Sequence, residues 1–271
     1  MHQNLGLPDP FTDDYRLNLL LARARKKDPE PAGKMPATLS LLDVLDSTLD
    51  LSKLEDYCVS AYHLNGLAYA NRVSEIAIGE DHTILWKDIE FHLDDFEMDV
   101  VRSAQHPDEL TETQQSDKVT RFGQGLPRSH FVNPEDSWHC IVTRICELKR
   151  RLAAVGMAKP ADPVFSWAPG KGVTRHMSQK LLKRAAVLCG IPAGDIATHS
   201  LRAGAMSAAM AAEIPWHIAK DFLRWKSDKS AELYAWPHTR VMKDRVAAFF
   251  KSANLHATRR INGMEGVLQR Q

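Results

Sequence analysis

The sequence predicts an α+β domain, mainly α-helical, with a small antiparallel three-stranded sheet. Two observations carry this. Apolar residues recur at helical spacing before and after the middle of the chain, most clearly at Trp138, Ile141, Val142, Ile145, Leu148, Leu152 and Val155. Between the helical stretches, ILWKDIEFH (84–92) and MDVVRS (98–103) read as two strands, and SDKVTRFGQGLPRSHFV (116–132) as a turn and a third.

At 271 residues the chain can bury a sizeable core, as one large domain or one domain plus an appendage. Apolar content of 44% and charged content of 25% are ordinary for a soluble globular protein. No apolar run is long enough to span a membrane, and MHQNLGLPDPFTDDY has no basic-then-apolar signal pattern. The expected location is therefore intracellular, the nucleus in a eukaryote and otherwise the cytoplasm. Cys58, Cys140, Cys146 and Cys189 are scattered without a C-x-x-C, as expected of free thiols in a reducing compartment. The twelve histidines offer no H-E-x-x-H, so neither a metal nor another cofactor is expected. Net charge is only +1, but Asp and Glu crowd into 80–117 while Lys and Arg recur at 144–184 and 220–260. A basic face opposite an acidic appendage fits that distribution.

Taken in order, DYRLNLLLARARKK (14–27) resembles the end of an amphipathic helix, and DPEPAGKMPA (28–37) is a Pro-rich linker. The main domain is expected to start near Met35. Leu41–Leu49 has helical spacing. Ser52 and Glu55 form an S-x-x-E capping box for a second helix ending near Asn65-Gly66, and a short helix follows around Arg72–Ile78. The polar run QHPDELTETQQ, within 104–115, reads as a loop insertion. In the long helix of 137–155, Arg144, Lys149, Arg150 and Arg151 lie off the apolar face. PVFSWAPGKG is a short extended piece and a loop. Thr174 can cap a helix through Leu188, closed by Gly190. An Ala-rich helix follows at 200–212, then one from Pro215 and another spanning Tyr234.

The chemistry concentrates in THSLRAGAMSAAMAAEIPWHIAKDFLRWKSDKSAELY (198–234). His199 and Arg202, three apart at a helix start, share a face, and a helix N-terminus favours an anion. Trp225 can only donate, through its indole N–H. Tyr234, nine residues later, carries a phenol that can attack phosphorus once a base or cations assist it.

H-x-x-R, then R-W-K-S, then a tyrosine nine residues past the Trp resembles the tyrosine recombinase, or phage-type integrase, family. The upstream motifs match too. NRVSEI (71–76) is similar to the family's R-x-S-E, with Arg72 as the first arginine. SDKVTRFGQG (116–125) is similar to its lysine-bearing turn, with Lys118 as the lysine. The resemblance covers roughly 35–250. It implies a catalytic set of Arg72, Lys118, His199, Arg202, Trp225 and Tyr234 and the DNA breaking-rejoining fold. It further implies site-specific recombination or integration through a 3′-phosphotyrosyl intermediate, without metal or ATP, on double-stranded DNA held by a homo-tetramer. The domains expected are 1–34, the end of a helical core-binding domain plus linker; 35–254, the catalytic domain; and 255–271, a polar tail. Relative to the family, only the end of the core-binding domain is expected within 1–34. The insertion at 104–115 lengthens the approach to Lys118. Leu223 stands at the position before Arg224, which is often Gly, and Glu213 stands where a helix-ending Gly is common. The amphipathic stretch 241–253 is expected either to dock Val246, Phe249 and Phe250 on a neighbouring protomer or to pack Val241 and Phe249 within its own. Two other activities fit the same residues: strand relaxation of the type IB topoisomerase kind, and non-catalytic DNA binding by a module derived from a mobile element.

Overall fold

Seven α-helices and two small antiparallel sheets make up the described part of the chain, which in this computed structural model is residues 34–80, 82–114, 126–225 and 228. All lie in the unit that begins at Lys34. Lys118, Tyr234 and the stretch 241–253 lie outside the described residues.

Helix α1 (Leu39–Asp46) starts at Thr38, whose Oγ1 accepts the Leu41 N–H at 3.2 Å. Helix α2 (Leu54–Ala68) is the centre of the domain. Every residue from Tyr57 to Leu67 is buried, and the polar ones are paired. Ser60 donates to Asp46 at 2.8 Å, and His63 bonds the Val59 carbonyl and Ser178 Oγ at 2.8 and 3.0 Å. The S-x-x-E box does not form: Ser52 donates to Asp50 at 2.6 Å, and Lys53 occupies the cap position. Nor does the helix stop at Gly66. A Cβ there would lie 2.9 Å from Leu201 Cδ1, so this glycine lets another helix pass close by. Helix α3 (Val73–Ile76) follows after a left-handed residue, Ala70, at φ 49°.

The main sheet has four strands, not three: β1 (Ile89–Leu93), β2 (Phe96–Glu97), β3 (Glu109–Gln114) and β4 (Leu126–Phe131), in spatial order β2-β1-β3-β4. The expected strand at 98–103 is a turn whose carbonyls at Val100 and Ser103 are held by Arg150. Conversely, the expected polar loop contains β3, an inner strand of the sheet, with Glu112 directly opposite Arg128 of β4. The misreading has a physical cause. Thr111, Glu112 and Gln114 are all buried, so this strand turns polar side chains inward and shows no hydrophobic alternation.

Helix α4 (Ile141–Ala154) packs on α2 and on β3 and β4. Arg144, expected on the solvated face, is buried: it donates to Ser60 and the Trp138 carbonyl, pairs with Asp46 at 3.4 Å and lies over the Tyr57 and Trp138 rings. Strands β5 (Ser166–Ala168) and β6 (Lys171–Gly172) form the second sheet. Helix α5 (Arg175–Leu188) has the expected Thr174 cap, at 3.2 Å to Met177 N, and Gly190 follows it at φ 73°. Helix α6 (Ser200–Ala211) crosses α2, and α7 (Trp216–Phe222) packs against α6. The small residues of α6 serve close approach: a Cβ on Gly204 would lie 1.9 Å from the Ala37 carbonyl oxygen. Among the described residues no helix is long and apolar enough to cross a membrane.

Candidate active site

Two turns, far apart in sequence, bring four of the six expected residues together. The first is at the start of α3. Arg72 is its N-cap residue, and its backbone N–H donates to Glu75 Oε2 at 2.7 Å while its Nη1 pairs with Glu75 Oε1 at 2.8 Å. The Arg72–Glu75 pairing expected of any helix surface is thus present, but Glu75 is not on the surface. It is buried and also accepts Arg224 Nη2 at 2.6 Å. Burial alone would raise the Glu75 carboxyl; the Arg224 guanidinium, and then Arg72, outweigh it and hold the group below its usual range.

The second turn is the start of α6. His199 is the N-cap residue and makes no side-chain capping bond. Arg202, one turn in, is 1% exposed. Its guanidinium donates to the carbonyls of Ala70 and Leu223, the latter at 3.3 Å, and so reaches both the segment before Arg72 and the segment before Trp225. It lies 4.3 Å from the centre of the Trp225 ring. Trp225 comes three residues after the end of α7, its N–H bonded to the Lys220 carbonyl at 2.8 Å.

The electrostatics confirm that these groups are neighbours. Burial first, then the charge of Arg72, with Arg224 and Arg128 adding and Glu75 opposing, bring the Arg202 guanidinium down to about 9. Burial also lowers His199, followed by the charges of Arg202 and Arg72. His199 is therefore neutral at neutral pH, able to accept or donate a proton. Among the described residues four guanidinium groups, Arg72, Arg202, Arg224 and Arg128, share two carboxylates, Glu75 and Glu112. Arg202 lies in the first turn of a 12-residue helix, with the other guanidinium groups close to it. Cations are unfavourable there and an anion is favoured. What the arrangement can do is hold a phosphate.

The left-handed residues refine the sequence reading. Glu213, after α6, has φ 59°, as its place in a glycine-favouring position suggests. The other such position is Arg224, at φ 57°, and not Leu223, at φ −85°. Holding a non-glycine residue there costs roughly 1–2 kcal/mol. Sequence reasoning missed Arg224, Arg128, Asn71 and Glu112. The signal available was the clustering of polar residues in ELTETQ at strand-like spacing. A cleft of 680 Å³ lined by Ile78, Met157, Asp162 and Thr174 includes none of the four site residues, and its lining has no comparable charge. Among the described residues no group of three or more His, Cys, Asp or Glu is placed to hold a metal ion.

No protein-family model matches the chain, and no curated protein does. Solved structures do. The chain is similar to the XerH site-specific recombinase bound to palindromic difH substrate in a post-cleavage complex, at 13% identity and a TM-score of 0.54, covering 80% of this chain and 54% of that one. It is similar to XerH in a pre-cleavage complex with difH substrate at 14% identity and a TM-score of 0.52, covering 78% and 53%. For the XerA recombinase the figures are 14% identity, a TM-score of 0.51, and coverage of 92% and 70%. The chain thus spans about half the length of the XerH chains. Mainly helical, with one antiparallel sheet and the two arginine-bearing turns brought face to face, the chain has the fold of the tyrosine recombinase catalytic domain.

Proposed function

We propose that this protein cuts and rejoins DNA strands through a phosphotyrosine bond, as a site-specific recombinase. The observation that carries the proposal is the convergence of Arg72, His199, Arg202 and Trp225, from segments 127 residues apart and more, on one cation-rich spot. The shared fold supports it, since XerH is a site-specific recombinase seen on DNA before and after cleavage.

In the proposed reaction Tyr234 Oη attacks the scissile phosphorus, forming the Tyr–O–P bond as the P–O5′ bond breaks. The phenolic proton passes to His199, which burial and two neighbouring guanidinium groups hold in its neutral form. Arg72 and Arg202 offer planar pairs of donors to the nonbridging oxygens, and Trp225 can add its indole N–H. Lys118 protonates the departing 5′ oxygen. The ester keeps the bond energy, so the reverse attack by a 5′ hydroxyl reseals the strand. Four protomers around two duplexes would then exchange strands, with 241–253 bridging neighbours.

The test uses a pool of nicked duplexes with randomised centres, in which cleavage releases a short fragment and traps the adduct. The expected result is a denaturation-resistant protein–DNA adduct, mapped to Tyr234 and lost in Tyr234→Phe. Absence of any adduct, with DNA binding retained, would leave a binding module and sink the proposal. Relaxation of supercoiled DNA by the monomer would replace recombination by topoisomerase activity.

A further inference from the structure

Beneath the arginine cluster lies a buried polar network centred on a side chain that no step of the proposed reaction uses. Asn71, adjacent to Arg72, is 1% exposed. Its Oδ1 accepts Arg128 Nη2 at 3.0 Å and Arg224 Nη2 at 3.1 Å. Its Nδ2 donates to Asn65 Oδ1 at 2.9 Å and to Glu112 Oε1 at 2.7 Å. One amide thus fills all four of its hydrogen-bonding positions. The partners come from four places: α2 through Asn65, β3 through Glu112, β4 through Arg128, and the residue before Trp225 through Arg224.

The network is closed by further bonds. Asn65 Nδ2 donates to Glu112 Oε2 at 2.9 Å, and Arg128 Nη2 pairs with Glu112 Oε1 at 3.0 Å. Arg224 Nη2 also reaches Glu75, which holds Arg72. The connected residues therefore flank three segments that carry the site: the Arg72 turn, the two strands that enclose 115–125, and the Trp225 segment. Each of those groups must be set to within a fraction of an ångström of a phosphate to act. Arg224 is the left-handed residue that closes α7, its N–H bonded to the Asp221 carbonyl at 3.1 Å and that of Trp225 to Lys220; the two side-chain bonds to Asn71 and Glu75 hold this turn against the network.

We propose that Asn71 is a positioning residue, which sets the spacing of Arg72, Trp225 and the sheet edge by joining Arg224, Arg128 and Glu112 in one place. It touches no substrate, and its role rests on the strand-cleavage reading given above only for its effect on rate. In Asn71→Asp the acceptor for both arginines remains, but the two donors go and a second carboxylate faces Glu112. Adding Glu112→Gln restores the bond between 71 and 112 with its polarity reversed, since the new amide donates to the new carboxylate, and returns the network to its original charge; the bond to Asn65 stays lost.

The test has two arms on the full chain. Hydrogen exchange is followed in 70–76, 126–131 and 222–225, and the single-turnover rate constant of adduct formation is measured separately from its amplitude. Asn71→Asp is expected to speed exchange in all three segments together and to lower the rate constant about 100-fold, with DNA affinity unchanged. The double variant is expected to recover part of both. A merely structural role would lower the amplitude, through fewer folded molecules, and leave the rate constant as it was; that result overturns the proposal. Exchange unchanged in 222–225 overturns it as well, whatever the activity. A wild-type protein that forms no adduct defeats the strand-cleavage reading, while coupled exchange in the three segments still upholds the junction.

Discussion

The guanidinium of Arg202 stacks 4.3 Å from the centre of the Trp225 ring while its N–H groups hold the carbonyls of Ala70 and Leu223. Stacking and forked donation are both properties of a planar cation, which an ammonium lacks. Arg202→Lys keeps the charge and loses both. It is expected to reduce single-turnover adduct formation about 100-fold, the usual scale for removing one donor aimed at a developing charge. A rate within a few-fold of wild type would mean that charge alone suffices.

Among the described residues four guanidinium groups lie near two carboxylates, and the charges of Arg72, Arg224 and Arg128 add to burial in lowering Arg202. An oxyanion bound between the guanidinium groups relieves their repulsion. Sulfate or orthovanadate should therefore raise the melting temperature, by an amount equivalent to about 2.7 kcal/mol at a concentration 100 times the dissociation constant. Sodium chloride at equal ionic strength should not match it. In Arg72→Ala the anion-specific part of the rise is expected to vanish, which thermal melts would read directly.

Acid sensitivity follows from two buried histidines. Burial lowers both His63 and His130 to about 4, so between their ordinary value near 6.5 and 4 the unfolded chain binds protons that the folded one refuses. Stability is then full above about pH 6.5 and falls as pH drops towards 4, on the order of several kcal/mol in total. His139 works the other way. Burial opposes its charge, but the Asp136 and Asp43 carboxylates at 2.6 and 2.8 Å raise it, so its contribution is present at acid pH and lost as pH rises past its folded value. Denaturant midpoints across pH 4–8 should show the first trend, and His139→Ala should steepen it.

Gly204 gives a purely steric prediction. With a Cβ position 1.9 Å from the Ala37 carbonyl oxygen and 2.8 Å from Leu67 Cδ1, Gly204→Ala must push α6 off the segment beneath it. That segment is bonded to the start of α6, Ala37 N to Ser200 O at 2.8 Å. A loss of about 1–3 kcal/mol is expected from urea unfolding, the range for overpacked cores. Because His199 and Arg202 ride on the same helix, adduct formation should fall along with stability. An unchanged unfolding midpoint would mean that the helix has room to move.

The sequence shows best the parts that rest on apolar spacing or on a local cap. Helix α4 is legible from Ile141, Ile145, Leu148 and Leu152, and α5 from Thr174 and Gly190. The His199–Arg202 spacing is legible because one helical turn decides it. What stays hidden is burial that polarity disguises. Strand β3 passes for a loop because Glu112 and Gln114 face inward, and Arg144 passes for a solvated residue because Asp46 and Ser60, which hold it, lie about ninety residues away. Ser52 looks like a cap, and only the competing Asp50 carboxylate shows why it is not one. In the site, the arginines that touch phosphate in the proposed reaction are legible, and Asn71, which joins their supports, is not.

Glu112 and Arg128 face each other as direct partners in the β3–β4 ladder, both shielded from water. In most sheets a one-residue slip is penalised by apolar side chains turning out to solvent. Here a slip would set Glu112 opposite Ser129 or Pro127, leaving a carboxylate and a guanidinium buried apart, at a cost of several kcal/mol. Alignment of these strands is thus enforced by the expense of the nearest error rather than by the attraction of the right pairing.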